Sequence, residues 1–203
     1  MNTVTAPRPE YPRPGLRRER WMSLNGQWEF AYDDARKGIG EKWYLRDFPG
    51  DRSIQVPFAY QSVLSGIGDL SFHDVVWYRK VVEIPREWDG QRIVIHFGAV
   101  DYKAHVWING ELAIVHEGGH TPFQTDITEL LTVGGNVVTV RAEDDSKDLT
   151  QPRGKQYWEE QPANIFYTRT TGIWQSVWLE PVSPVHLRKI KYKPDIEHNA
   201  IEI

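Results

Sequence analysis

Apolar and polar residues alternate with a period of two over much of this chain. In QRIVIHF, Ile93, Ile95 and Phe97 oppose Arg92, Val94 and His96. In GNVVTVRAED, Val138, Val140 and Ala142 oppose Thr139 and Arg141. Successive side chains of a strand point to opposite faces, so this period predicts strands with one face in a core. Further strands are predicted over Trp28 to Tyr32, over SIQVP ending at Pro57, over VVWYRKVVEIP from Val75 to Pro85, and over GIWQSVWLEPV. Gly, Pro and Asn punctuate the set as expected of an all-β sandwich or barrel. Helix signals are nearly absent. The one candidate is DITELL, where Asp126 or Thr128 would cap a single turn over Glu129 to Leu131. Residues 33–50 read as loop.

The most patterned stretch runs from Gly98 to Thr128, GAVDYKAHVWINGELAIVHEGGHTPFQTDIT. Tyr102, Ala104, Val106 and Ile108 share one strand face, and Asp101, Lys103, His105 and Trp107 the other. Asn109-Gly110 predicts a two-residue hairpin turn with positive φ at both positions. Gly118-Gly119 permits a bend that side chains would block. His105 and His116 flank the turn and His120 lies beyond it, which is not the compact spacing of a metal site. The favoured reading is scaffold; a histidine touching a ligand is the lesser alternative.

The first twenty residues change the picture. They hold prolines at 7, 9, 12 and 14 together with Arg13, Arg17, Arg18 and Arg20. Such a segment is extended and forms no core of its own. It is expected to lie as an arm across a domain, its arginines docked on acidic surface. The net charge of -4 argues against a nucleic-acid partner. There is no cysteine, hence no disulfide and no thiolate site. No leader-like apolar run opens the sequence, and no stretch approaches the ~18–20 apolar residues of a membrane helix. The expectation is a cytoplasmic protein with no membrane partner.

Catalytic motifs are missing. Glu159-Glu160 and Asp144-Asp145 are the adjacent acid pairs, but neighbours in an extended segment point apart, and solvated loop charges are the expected reading. No G-x-S-x-G elbow or phosphate-cradling loop occurs. The better candidate is RGKQYWEEQPANIFYTRT, Arg153 to Thr170. Loops longer than ~12–15 residues in compact domains are usually functional. This one offers Arg153, Lys155, Gln156 and Arg169 as donors to hydroxyl groups and Trp158 as a stacking surface, with packing against a neighbouring domain as the alternative reading. In a second loop, GIGDLSFHDV, solvated surface is the favoured reading of His73 and Asp74, with a place on a pocket rim as the alternative. Of the 9 tryptophans, Trp28, Trp77, Trp107, Trp174 and Trp178 fall within or at the ends of strands and are assigned to core or interface.

WMSLNGQWEF, WYRKVVEIP, the stretch from Gly98 to Thr128, RGKQ and TTGIWQSVWLE together resemble the N-terminal domain of glycoside hydrolase family 2. That family includes β-galactosidases, β-glucuronidases and β-mannosidases. The resemblance covers roughly residues 7–182. It implies a jelly-roll β-sandwich of the galactose-binding-domain-like kind, a sugar-binding domain over 21–182 after an arm over 1–20. It also implies that 183–203 opens an immunoglobulin-like sandwich, followed in the parent by a TIM barrel. Retaining hydrolysis needs two carboxyl groups ~5–5.5 Å apart, and the resemblance puts both on that barrel. The chain alone is therefore expected to be catalytically inactive, to need no cofactor or metal, and to meet carbohydrate through its parent, which could be a homo-oligomer. In the family an acidic residue before the Gly-Ile-aromatic motif helps shape the pocket. Counting back from Gly172, this sequence has Phe166 and Tyr167 instead, which weakens polar sugar recognition there. The alternative is a self-sufficient, lectin-like carbohydrate-binding module.

Overall fold

The computed structural model describes residues 7–47, 49 and 52–203; the first six residues of the arm, and 48 and 50 of the 33–50 loop, lie outside them. Fourteen strands occur among these residues: β1 (Met22–Ser23), β2 (Gly26–Tyr32), β3 (Arg52–Val56), β4 (Val75–Glu83), β5 (Arg92–Phe97), β6 (Val100–Asp101), β7 (Lys103–Ile108), β8 (Glu111–Glu117), β9 (Phe123–Asp126), β10 (Gly135–Glu143), β11 (Gly172–Ile173), β12 (Val177–Val182), β13 (Lys193–Asp195) and β14 (Ala200–Glu202). A six-stranded sheet runs β3-β2-β4-β10-β7-β8 and a four-stranded sheet β1-β12-β5-β9. Pairing within both is antiparallel. β6 pairs with β11, and β13 with β14, as small separate ribbons. The architecture is all-β and consistent with a jelly-roll sandwich. Among the described residues no helix is long and apolar enough to cross a membrane.

The predicted alternation is the one that builds the core. Ile93, Ile95 and Phe97 of β5 and Leu179 of β12 meet Trp28, Phe30, Val76, Tyr78, Val138, Val140, Ala104 and Val106 of the larger sheet in one buried cluster. Asn109 and Gly110 take φ of 52° and 86°, as the hairpin between β7 and β8 requires. The DITELL turn is a short 3-10 turn over Thr128–Leu130, one residue earlier than expected. It is stabilised by Asp126, which accepts the Thr128 N–H at 3.0 Å.

Both sheets are also covered on their outer faces. On the six-stranded sheet Ala31, Val75, Trp77 and Trp107 form a second buried cluster with Trp43. Trp43 comes from the 33–47 connection, which therefore folds back as a strap. Tyr44 stacks on Trp107 at 5.1 Å, and Trp107 on Trp77 at 5.4 Å. The Asp33 carboxylate anchors the strap by accepting the N–H groups of Lys37, Gly38 and the Trp77 indole at 2.7–3.0 Å. Gly38 lies so close over Trp77 that an added Cβ would stand 2.6 Å from the ring.

On the four-stranded sheet the cover is the N-terminal arm, and its anchor is Glu180. That side chain is fully buried. Tyr11 donates to it at 2.5 Å, Arg13 at 2.9 Å, Arg18 at 2.8 Å and the Trp178 indole at 2.8 Å. The arm thus docks on one buried glutamate instead of the acidic surface anticipated for its arginines. Burial works against the charge of Glu180, but His96, whose Nε2 lies 3.3 Å away, with Tyr11 and Trp178 brings its pKa down to about 2. Burial also lowers the pKa of His96.

Candidate functional site

Strand register gathers five connections at one end of the six-stranded sheet. Tyr32 faces Val76, Val75 faces Glu143, and Glu143 faces Lys103, which in turn faces Glu117. The connections after β2, before β4, before β7, after β8 and after β10 therefore start or finish there. All seven candidate residues belong to this group.

The long connection, 144–171, is tied down at its root. Asp144 follows β10 and is 2% exposed; Arg169 is 3% exposed. The guanidinium reaches the Asp144 carboxylate at 2.5 Å and its carbonyl at 3.0 Å. Thr171 donates its hydroxyl at 2.8 Å, and the Gln151 amide donates as well. Burial, opposed by Arg169 and reinforced by the nearby Asp101, raises the pKa of Asp144 to about 6. The reading of Asp144-Asp145 as solvated acids is thus overturned at Asp144: a strand-end position on the core side of the pleat carries it inward. Asp145 is partly exposed and accepts the Lys147 N–H at 2.9 Å.

A second tie fixes the middle of the loop. The Gln156 amide donates to Asp101 at 2.7 Å and accepts the Thr170 N–H at 3.0 Å. Asp101 is buried, and burial raises its pKa. Its carboxylate occupies the space where a side chain on Gly119 would stand, which explains the Gly-Gly pair. Around Gln156 the loop doubles back: Tyr157 N–H donates to the Tyr167 carbonyl at 2.8 Å, and Tyr167 N–H to the Lys155 carbonyl at 2.9 Å. Arg153 donates to the Asp148 carbonyl at 2.6 Å. Lys155 is exposed.

What this frame presents outward is aromatic. Trp158 is 50% exposed and packs edge-on against Phe166 at 4.9 Å, while Tyr157 stacks on Phe166 at 5.3 Å. Leu149, Ile165 and Tyr167 are exposed in the same loop. His73 stacks on Tyr32 at 3.6 Å, with Asp34 2.8 Å from Nδ1 and Asp69 3.4 Å from Nε2. Asp74 accepts the Ser146 N–H at 2.9 Å and so buttresses the root of the long loop.

The structure brings Gln156, Arg169, Arg153 and Asp74 together as the loop's framework and leaves Trp158 and Lys155 at its surface. Sequence reasoning missed Asp101, Asp144, Tyr157 and Phe166. A signal for Asp144 existed: it continues the series Val138, Val140, Ala142 by one more step of two. The histidines of the Gly98–Thr128 stretch do not converge. His105 stacks on Trp107, His116 on Phe123, and His120 meets the edge of Trp174. Among the described residues no three metal-ligating side chains are grouped to hold a metal. Glu159 and Glu160 are exposed.

Comparison with known proteins identifies the family. The family model described as "Glycosyl hydrolases family 2, sugar binding domain" matches residues 21–181. The β-glucuronidase of Felis catus is 37% identical over 133 residues, 61% of this chain and 20% of its own length. That of Chlorocebus aethiops is 30% identical over 94% of this chain and 33% of its own. A solved β-glucuronidase from an uncultured Clostridium sp. superposes with a TM-score of 0.65 at 27% identity, over 86% of this chain and 31% of its own. The β-glucuronidase from Ruminococcus gnavus in complex with D-glucaro 1,5-lactone gives 0.66 at 23% identity, a likeness of fold alone, over 85% of this chain and 31% of its own. The chain thus spans between 20% and 33% of the length of these relatives.

Proposed function

Because the chain belongs to glycosyl hydrolase family 2 through its sugar-binding domain, we propose that it is the non-catalytic N-terminal sandwich of a β-glucuronidase-type enzyme. The parent would be a retaining glycosidase that cleaves O-glycosyl bonds of β-glucuronides, its two catalytic carboxyls lying on a TIM barrel outside these residues. Names of the matched relatives support that substrate class over galactosides. In this reading residues 7–20 are an arm, 21–182 the jelly-roll domain, and 183–203 the opening of an immunoglobulin-like sandwich. The exposed Val185, Leu187, Ile196, Ile201 and Ile203 support the last assignment, since a further domain would cover them.

One observation carries the role assigned to the loop end. The 144–171 loop is rigidly pinned by buried ion-pair and amide contacts, yet its aromatic residues stand partly free. A pinned loop with an uncovered aromatic surface suits a pocket wall completed by another domain, with Trp158, Lys155 and His73 as its contacts to substrate or barrel and Arg153 held in the frame by the Asp148 carbonyl. Gln156, Arg169 and Asp74 serve as positioning residues.

The exposed Trp158 also favours the second reading, a module that binds sugar unaided, because sugars stack on such rings. Two measurements on the isolated chain decide between them. Chromogenic glucuronide and galactoside should remain unhydrolysed. Calorimetric titration with glucuronate, galactose and mannose should give no saturable heat at micromolar sugar. Saturable heat abolished by Trp158→Ala would establish the module; dye release at enzymatic rates would refute both readings.

A further inference from the structure

The outer face of the four-stranded sheet carries a groove remote in sequence from the loop-end residues. At its base lie Trp178 and His96, whose rings stack on each other at 4.7 Å and are themselves nearly buried. Leu16 of the arm lines one side, and Ile190 and Tyr192 of the segment after β12 line the other. The space amounts to about 660 Å³, within the roughly 300–1,000 Å³ of small-ligand clefts. Arg18 ties the two walls together, donating through Nε to Glu180 at 2.8 Å and through Nη2 to the Leu187 carbonyl at 2.7 Å.

The charge of this groove is one-sided. Arg13, Arg18, Arg188 and Lys189 line it and the small recess beneath the arm, against one carboxylate, Glu180. Three cations are therefore in surplus, histidines not counted. Glu180 is already filled by Tyr11, Arg13, Arg18 and Trp178. Arg188 and Lys189 are exposed, and neither forms a salt bridge among the described residues. Arg13 Nε is buried without a hydrogen-bond partner among the described residues. An apolar groove between Leu16 and Tyr192, with unmatched cations at the rim, selects one kind of occupant by complementarity.

We propose that this groove binds small amphipathic carboxylates, the apolar body lying between Leu16 and Tyr192 and the acid group held by Arg188 and Lys189. The site is independent of the sugar-pocket role assigned to the 144–171 loop and of any catalytic domain. It shares its chemistry with sulfonates of the same shape, whereas neutral sugars lack both the apolar body and the charge.

Calorimetric titration of this chain with 4-phenylbutyrate, and with 4-phenylbutan-1-ol as an uncharged match, tests the assignment. The carboxylate is expected to bind saturably at low salt, at least about tenfold more tightly than the alcohol, a difference of about 1.4 kcal/mol. High salt should weaken the acid alone. The double variant R188E/K189E alters two exposed side chains, so it should fold normally and lose about tenfold or more for the acid while leaving the alcohol unchanged. The Trp178 indole resonance should shift on binding. Absence of saturable heat for the acid, equal affinity for the alcohol, indifference to the charge reversal, or a shift confined to Trp158 would each overturn the proposal.

Discussion

Two regions of this molecule are held by a buried carboxylate, and the two carboxylates behave oppositely. Glu180 clasps the N-terminal arm to the outer face of the four-stranded sheet, and its pKa falls to about 2. Asp144 clasps the long loop to the end of the six-stranded sheet, and its pKa rises to about 6. Burial pushes both upward. The difference lies in the donors. Glu180 has His96 at 3.3 Å, then a phenol and an indole donating to it, and two guanidiniums besides. Asp144 has one guanidinium, Arg169, and a second buried acid, Asp101, close enough to raise it further. The arm is fastened by an over-supplied anion, while the loop is fastened by a pair of acids with a deficit of positive charge. That contrast separates a purely structural clasp from one beside the candidate site, where perturbed acids tend to collect.

The largest expected effect comes from removing the single cation. Arg169→Ala leaves Asp144 buried without its counter-charge, which costs on the order of 3–5 kcal/mol. Arg13→Ala leaves Glu180 with Arg18, Tyr11 and Trp178, and should cost about 1 kcal/mol. Urea midpoints of the two variants measure the gap. Equal losses would erase the distinction between the clasps.

The pH dependence is next in size, and its sign differs between the regions. The folded pKa of Asp144 lies above its ordinary 3.8, so the native state holds the proton more tightly and stability falls as pH rises from about 4 to 6. A shift to about 6 corresponds to at most about 3 kcal/mol over that window. Asp101 acts in the same direction. The folded pKa of Glu180 lies below its ordinary 4.5, so its contribution is complete above that value and is lost as pH falls towards about 2. Thermal midpoints should therefore peak near about pH 4–5. Asp144→Asn should flatten the slope between pH 4 and 6 and leave the acid limb in place. A wild-type profile already flat between pH 7 and 5 would show that Arg169 neutralises Asp144 fully.

Smaller again is a steric contrast. Gly119→Ala drives a Cβ into the Asp101 carboxylate and should cost about 1–3 kcal/mol. Gly15→Ala in the arm meets nothing within 4 Å and should be neutral. Comparable losses at the two sites would mean that the loop-end packing is no tighter than the arm's.

The strands of both regions were legible from the chain alone, because period-2 alternation is local and Ile93, Ile95 and Phe97 needed no distant partner to reveal their face. The clasps were not. Glu180 falls on the face opposite Leu179, which would be solvated but for Tyr11 and Arg13, more than 160 residues away in sequence. Nothing near Glu180 announces that cover. Trp43 and the 33–47 strap escaped for the same reason: their partner Trp77 lies on another strand. In the loop, RGKQ drew attention as a set of donors, but Gln156 and Arg153 are committed to Asp101 and to the Asp148 carbonyl. Side-chain type in a sequence announces a donor without revealing whether the fold already uses it.

The smallest effect sharpens the comparison most. Trp158 is half exposed, and its ring contacts are Tyr157 and Phe166 of the same loop. Its removal leaves the Asp144–Arg169 and Asp101–Gln156 ties untouched. Surface substitutions that break no such tie stay within about 0.5 kcal/mol, so Trp158→Ala should leave the urea midpoint close to that of the unaltered chain. The loop would then divide into a buried polar frame that bears the stability and an aromatic surface that bears none of it, as a surface reserved for a partner or ligand should. A loss of several kcal/mol would instead make the Tyr157–Trp158–Phe166 cluster a small core of its own. The pocket-wall role would then lose its support, since a ring needed to fold the loop is no evidence of anything waiting to stack on it.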